Sequence, residues 1–136
     1  MVVVAPTDED VLSLATKWVN LLAQAEFEQA QGLLVTSSEG IWTPTLVKAV
    51  IAAYELPPRA GDNSPTSRVT PPHAARVVDY RPDRDVTWFP DGSDQNAGMV
   101  HYSLPINGIW SDLTAIFRIH RQANGVALDL EDVHVL

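Results

Sequence analysis

The stretch GMVHYSLPINGIWSDLTAIFRIHRQANGVALDLEDVHV, residues 98–135, decides the fold. Two Asn-Gly pairs, Asn107-Gly108 and Asn124-Gly125, divide it into segments rich in Val, Ile, Leu, Tyr and Phe. A two-residue type I′ hairpin turn needs positive φ at both central positions, which Asn-Gly supplies at least cost. The expected product is a three-stranded antiparallel meander over 98–106, 109–122 and 126–135.

Each turn also sets a register. The first pairs Ile106 with Ile109, Tyr102 with Leu113, His101 with Thr114 and Val100 with Ala115. The second pairs Ala123 with Val126, Arg121 with Leu128, His120 with Asp129, Ile119 with Leu130 and Arg118 with Glu131. Side chains alternate along a strand, so one face collects Val100, Tyr102, Leu104, Leu113, Ala115, Phe117, Ile119, Leu128 and Leu130. The other collects Met99, His101, Ser103, Thr114, Ile116, Arg118, His120, Asp129 and Glu131. Both hairpins give the same partition. Glu131-Asp132 breaks the alternation, and a bulge there would return Val133 and Val135 to the apolar face.

Upstream, the period changes from two to about 3.6. Thr7 or Asp8 caps a first helix whose apolar stripe is Val11, Leu14, Ala15, Trp18, Leu21, Leu22 and Ala25. Asp8, Glu9 and Asp10 in its first turn favour the positive end of the helix dipole. A second, short helix buries Phe27, Ala30, Leu33 and Leu34, and Gly32 marks its end. After a brief extended piece, Gly40-Ile41-Trp42, a third helix opens on Thr43-Pro44, with Leu46, Val47, Val50, Ile51 and Tyr54 facing inward. Pro57-Pro58 ends it. Residues 55–73 read as a long loop, and further strands are expected over Ala75–Arg81 and Val86–Phe89. The fold class is α+β: N-terminal helices packed on a strongly curved antiparallel sheet, one domain over 1–136.

Composition excludes several function classes. Seventeen acids against nine bases give a net charge of −8, shared evenly between the two halves. With no basic patch, neither nucleic acid nor an anionic membrane is an expected partner. The absence of cysteine removes disulfides, thiolate metal sites and cysteine nucleophiles together. Met1-Val2-Val3-Val4-Ala5-Pro6 is apolar but lacks a basic n-region, and acids follow at once. No apolar run approaches the roughly 20 residues that span a bilayer. A soluble cytoplasmic protein is expected.

No nucleophile elbow, phosphate loop or dinucleotide fingerprint is present. His73, His101, His120 and His134 have no metal-ligand spacing. His120 opposite Asp129 could be an oriented acid/base pair, yet two cross-strand ion pairs on a solvated face are the favoured reading, because a general base needs a cleft that excludes water. Asp83-Arg84-Asp85 is a solvated turn. The aromatic residues carry more. Trp18, Tyr54 and Tyr102 lie on buried stripes, and Trp42 and Trp88 on short extended pieces. They either fill the core or line a pocket, where a Tyr hydroxyl on an apolar face would find its partner.

The order of helix, short helix, brief strand, third helix and long curved antiparallel sheet, with amphipathic openings at Trp18 and Phe27, resembles the NTF2-like (cystatin-like α+β cone) superfamily over nearly the whole chain. The resemblance implies a pocket between helices and sheet and pairing of two copies through the open sheet face. Together with the aromatic residues, this gives the expectation of a binding domain for a small apolar ligand, lined by some of Trp18, Trp42, Tyr54, Trp88 and Tyr102, with no cofactor and no metal. A homodimer would use Met99, Thr114 and Ile116, with reciprocal contacts from Arg118, His120, Asp129 and Glu131. The resemblance also allows a lyase or isomerase of the SnoaL/ketosteroid-isomerase type, with Glu39 or Asp79 as acid, or an acidic immunity-type interaction domain. Trp18 stands on the helix where the ketosteroid-isomerase pattern has a Tyr, and no acid falls on the apolar sheet face.

Overall fold

A computed structural model describes residues 6–35, 42–54, 67–91, 96–122 and 125–135. The elements run α1 (Asp8–Ala23), α2 (Phe27–Gly32), α3 (Pro44–Ala53), a 3-10 turn (Pro72–Ala74), β1 (Arg84–Trp88), β2 (Gly98–Ile106), β3 (Ile109–Gln122) and β4 (Gly125–Val135). The fold is α+β. The four strands form one antiparallel sheet in the order β1-β2-β3-β4.

Helix α1 is fixed at both ends by its own sequence. Thr7 Oγ1 accepts from the Asp10 amide, and Asp10 Oδ2 accepts from the Thr7 amide, so two otherwise orphaned donors are satisfied reciprocally. At the other end, Glu26 N–H bonds Leu21 O and Ala25 N–H bonds Leu22 O. This is a Schellman closure, with Ala25 in the left-handed region at φ 60° where glycine is the usual occupant. Between these ends Val11, Ala15, Trp18, Val19 and Leu22 are buried. Val19 joins the expected stripe, while Leu14 and Leu21 flank it half-buried.

The inner face of the sheet holds the residues that alternation assigned to it. Val100, Tyr102, Leu104, Leu113, Ala115, Phe117, Ile119, Leu128 and Leu130 are all buried and join Trp18, Val47 and Ile51 of the helices in one core. Trp18 meets Phe117 edge-on, with ring centroids 5.1 Å apart.

The register differs from expectation in a way that preserves the faces. Asn107 and Gly108, at φ 51° and 83°, form the first turn and pair Ile106 with Ile109. Beyond Pro105–Trp110 the pairing slips: Ser103 meets Thr114, so Ser111, Asp112 and Leu113 stand opposite Leu104 alone. Tyr102 therefore pairs with Ala115 rather than Leu113, and Val100 with Phe117 rather than Ala115. The last pair of the second hairpin is Gln122–Gly125, and residues 123–124 lie outside the described residues. Ile119 then pairs with Leu128, Arg118 with Asp129 and His120 with Ala127. Each slip is by two residues, and a two-residue slip returns every side chain to the same face. The bulge at Glu131 forms as expected and sets Val133 opposite Ala115.

Two further expectations change. Ala75–Arg81 is not a strand: it makes one bridge, Arg76 to Ile109, and leaves Val77 and Val78 58% and 47% exposed. Strand β1 already occupies the free side of β2, and this segment reaches the sheet at the hairpin tip, through Arg76 N–H to Gly108 O and Trp110 N–H to Arg76 O. The second face of the sheet is also less solvated than expected. Thr114 sits between Ser103 and His134, Ile116 between His101 and Asp132, and both are buried. Gly98 is required by contact, since a Cβ there would lie 2.3 Å from the Thr87 carbonyl oxygen.

Two substitutions test these devices. Ala25→Gly removes a left-handed penalty of about 1 kcal/mol and is expected to raise Tm by about 3–5 °C; an unchanged or lower Tm contradicts the strained C-terminus. Ser111 Oγ donates to Leu104 O and accepts from Leu113 N–H inside the irregular segment. Ser111→Ala is expected to cost about 1–3 kcal/mol in urea unfolding, because it strands two buried backbone groups.

Candidate functional site

Helix α3 begins with Thr43 Oγ1 accepting from Leu46 N–H and Pro44 in its first turn. Val47 and Ile51 bury its inner side, and the chain leaves it at Tyr54, whose backbone is already extended. That exit sends the Tyr54 side chain to the irregular segment of β3. Its hydroxyl donates to Asp112 Oδ1, and Ser67 Oγ donates to the Tyr54 carbonyl. Tyr54 thus bonds Asp112 through its hydroxyl and Ser67 through its carbonyl, while residues 55–66 of the expected 55–73 loop lie outside the described residues.

A second phenol shares the carboxylate. Tyr80, in the segment before β1, lies close enough to Asp112 for that charge to be the main cause of its raised pKa, with desolvation and Asp79 adding to it. Tyr54 is raised much further. Burial is the leading cause, followed by the hydrogen bond to Asp112 and its negative charge. Tyr54, Tyr80 and Asp112 are all partly accessible to solvent. Asp112 thus accepts from one phenol, Tyr54, at the end of α3 and over a sheet irregularity, and its charge is felt by a second, Tyr80.

Sequence reasoning missed Asp112, Tyr80 and Thr16. The signal for Asp112 was present: Ser111-Asp112 interrupts an otherwise apolar run in a central strand, which marks a bulge. Nothing local showed that Tyr54 and Tyr80 would reach it.

The five aromatic candidates are held in four places. Trp18 and Tyr102 are in the core, and the Tyr102 hydroxyl finds its partner in Thr16 Oγ1 at 2.8 Å. Trp42 Nε1 donates to Glu131 O at 2.8 Å, on the outer edge of β4. Trp88 Nε1 donates to Asp8 Oδ1 at 2.6 Å, tying β1 to the start of α1. Tyr54 belongs to the carboxylate cluster. Glu39 lies outside the described residues, and Asp79 stands beside Tyr80.

On the second sheet face, Arg118 and Glu131 form an ion pair at 3.1 Å. His120 Nε2 and Asp129 Oδ2 are 4.0 Å apart, beyond hydrogen-bond reach. The slipped register explains this, since they are no longer directly opposite. Among the described residues no group of three His, Asp or Glu side chains could hold a metal ion. No helix among them is long and apolar enough to cross a membrane.

An open groove of about 1150 Å³ runs along α1 past Asp8, Glu9, Leu12, Thr16, Lys17 and Val126. Two of its lining side chains are engaged within the fold, Asp8 by the Trp88 indole and Thr16 by the Tyr102 hydroxyl. The Tyr54–Asp112–Tyr80 cluster is the stronger candidate. Comparison with protein-family models, curated proteins and solved structures finds no match.

The raised Tyr54 pKa has a stability consequence with a definite sign. Below the ordinary phenol pKa of 10.0 the group is neutral in both states and its contribution is complete. Above it the unfolded chain loses a proton that the folded chain retains, so stability falls as pH rises. Urea unfolding between pH 9 and 11 is therefore expected to show a steeper loss for the natural chain than for Tyr54→Phe. Parallel curves would contradict the buried, carboxylate-facing phenol.

Proposed function

We propose that the chain is an NTF2-like α+β cone that binds a small apolar ligand between its helices and its sheet. The ligand enters at the end of α3, and Tyr54, Tyr80 and Asp112 form its polar anchor. Small-molecule sites are mostly apolar with a few convergent polar groups that orient the ligand. The single observation that carries this reading is the partly accessible Asp112 carboxylate held by the Tyr54 hydroxyl. Val50 of α3, partly buried against the core one turn before Tyr54, provides neighbouring apolar surface. Of the other expected lining residues, Trp18 and Tyr102 would shape the floor from within the core, while Trp42 and Trp88 hold the surrounding elements together.

The same contact gives a lyase or isomerase of the SnoaL/ketosteroid-isomerase type its most specific support. Asp112 would take a proton from a substrate carbon while Tyr54 orients the carboxylate. In that case Asp112→Asn abolishes turnover without unfolding the protein. In a binding module it changes only affinity. Pairing of two copies through the second sheet face belongs to the same reading. With Thr114 and Ile116 already buried within one chain, the contacts would fall to Met99, His101, Arg118 and Glu131.

A thermal-shift screen of small apolar compounds, run on the natural chain and on Tyr54→Ala, tests the proposal. A ligand at a hundredfold excess over Kd adds about 2.7 kcal/mol to the folded state. The expected outcome is a set of compounds that raise Tm in the natural chain and lose most of that effect in Tyr54→Ala. A screen with no responder, or with responders indifferent to Tyr54, contradicts it.

A further inference from the structure

The open groove along α1 shares no lining residue with the Tyr54–Asp112 contact. Its helical lining runs from Asp8 to Asn20, a rise of about 18 Å. Spread over that length, about 1150 Å³ corresponds to a channel with a cross-section of roughly 60 Å². One strand of a stacked sheet occupies about 4.8 Å by 10 Å, which is close to the same section. The groove is therefore as wide as a single extended chain and as long as about five residues of it. Gly125 and Val126, at the start of β4, line it from outside the helix.

Charge is ordered along it. Glu9, Ser13 and Lys17 follow at four-residue steps, so they stand one above another on a single face of α1. Glu9 and Lys17 are exposed, opposite in charge and about 12 Å apart along the helix axis. Asp8 and Asp10 add to the negative end. Their bonds from Trp88 Nε1 and the Thr7 amide come from neutral donors and leave both charges in place. The positive end of the helix dipole offsets only about half a charge of the three. Between the ends, half-buried Leu12 and Val126 offer apolar surface, and Ser13 and Asn20 carry both donors and acceptors. An extended chain brings backbone N–H and C=O groups that need such partners.

We propose that this groove docks an extended peptide segment with a basic residue at one position and an acidic residue four positions away. In an extended chain the first, third and fifth residues share one face, and the first and fifth lie about 13 Å apart. That span matches the rise from Glu9 to Lys17. The basic side chain meets Glu9, the acidic one meets Lys17, and the side chain between them rests on Leu12. A helix-stabilising role accounts for the three acids. It does not account for a chain-wide groove that continues past Lys17 to Asn20.

An NMR titration of the isotope-labelled protein at low salt both locates the site and reads its charge order. The probe is acetyl-Lys-Thr-Val-Thr-Glu-amide, and the same peptide with Gln or with Glu at both ends serves as control. The probe is expected to shift the Ser13, Lys17 and Val126 amides. It should bind severalfold more tightly than the Gln peptide, since each exposed ion pair is worth about 1.5- to 5-fold. The peptide with Glu at both ends should bind most weakly. Lys17→Glu, at an exposed position, should exchange the preference, so that a peptide with Lys at both ends outbinds the original probe. No shifts at millimolar peptide, shifts centred elsewhere, or equal binding of the three peptides overturns the inference. So does a Lys17→Glu protein that keeps the original order. Lysine amide alone is expected to leave Val126 unmoved; matching shifts from it would reduce the groove to a cation site and overturn the peptide assignment.

Discussion

The edge-on contact between Trp18 of α1 and Phe117 of β3 is the constraint on which the remaining geometry depends. Phe117 lies in the middle of the sheet, flanked by Val100 on one side and Leu130 on the other. A large ring seated there, with its own area burial and an aromatic pair worth about 0.5–1.5 kcal/mol more, fixes both the position and the rotation of α1. Everything else on that helix then falls into place. Thr16 comes under the Tyr102 hydroxyl, and Asp8 comes to the Trp88 indole. The Schellman turn at Ala25 directs the chain into α2, whose exit brings Val35 N–H to Leu128 O on the outer side of β4. Trp42 caps the same side at Glu131. An edge strand of eleven residues would otherwise present a row of unpaired backbone groups to any neighbouring chain.

The candidate site arises where the sheet departs from regularity. Closing the first hairpin on Asn107-Gly108 while keeping Tyr102 beneath Thr16 leaves three β3 residues against one of β2. The surplus has to be accommodated without stranding buried backbone groups. Ser111 does this with its hydroxyl, and the neighbouring position carries Asp112. The carboxylate therefore projects from a distorted, rigidly held piece of strand, which is where a functional side chain can be aimed accurately. Tyr54 reaches it because α3 ends one residue earlier, at Ala53, and the chain turns out of the helix there. Structure and chemistry share one cause: the same irregularity that reconciles turn and core creates the anchor.

Much of the architecture was legible in the sequence because its signals were local. The Asn-Gly turn, the Thr7 and Thr43 caps, Pro44 and the period-two alternation each act within a few residues. The partition into faces survived even though both registers were wrong by two, since parity is all that burial reads. What was not legible depended on long-range closure. The strand reading of Ala75–Arg81 failed because β1 takes the sheet edge, a competition that no local pattern reveals. The pairing of His120 with Asp129 failed because the second hairpin pairs Gln122 with Gly125, which moves every partner by two. The cluster at Asp112 needed Tyr54 and Tyr80, 58 and 32 positions away in sequence, to arrive at one strand irregularity. The Tyr54 hydroxyl meets the Asp112 carboxylate there, and only the folded chain brings them together.

The most direct test of the account is a crystal structure of the protein taken straight from cells, inspected for electron density around Asp112, Tyr54 and Tyr80. The account predicts a small molecule with its polar end on the Asp112 carboxylate and its apolar body against α3 and the sheet. A Tyr54–Asp112 pair enclosed by the protein's own side chains, with no space for a ligand beside it, would contradict it and reduce the cluster to a structural clasp between α3 and β3.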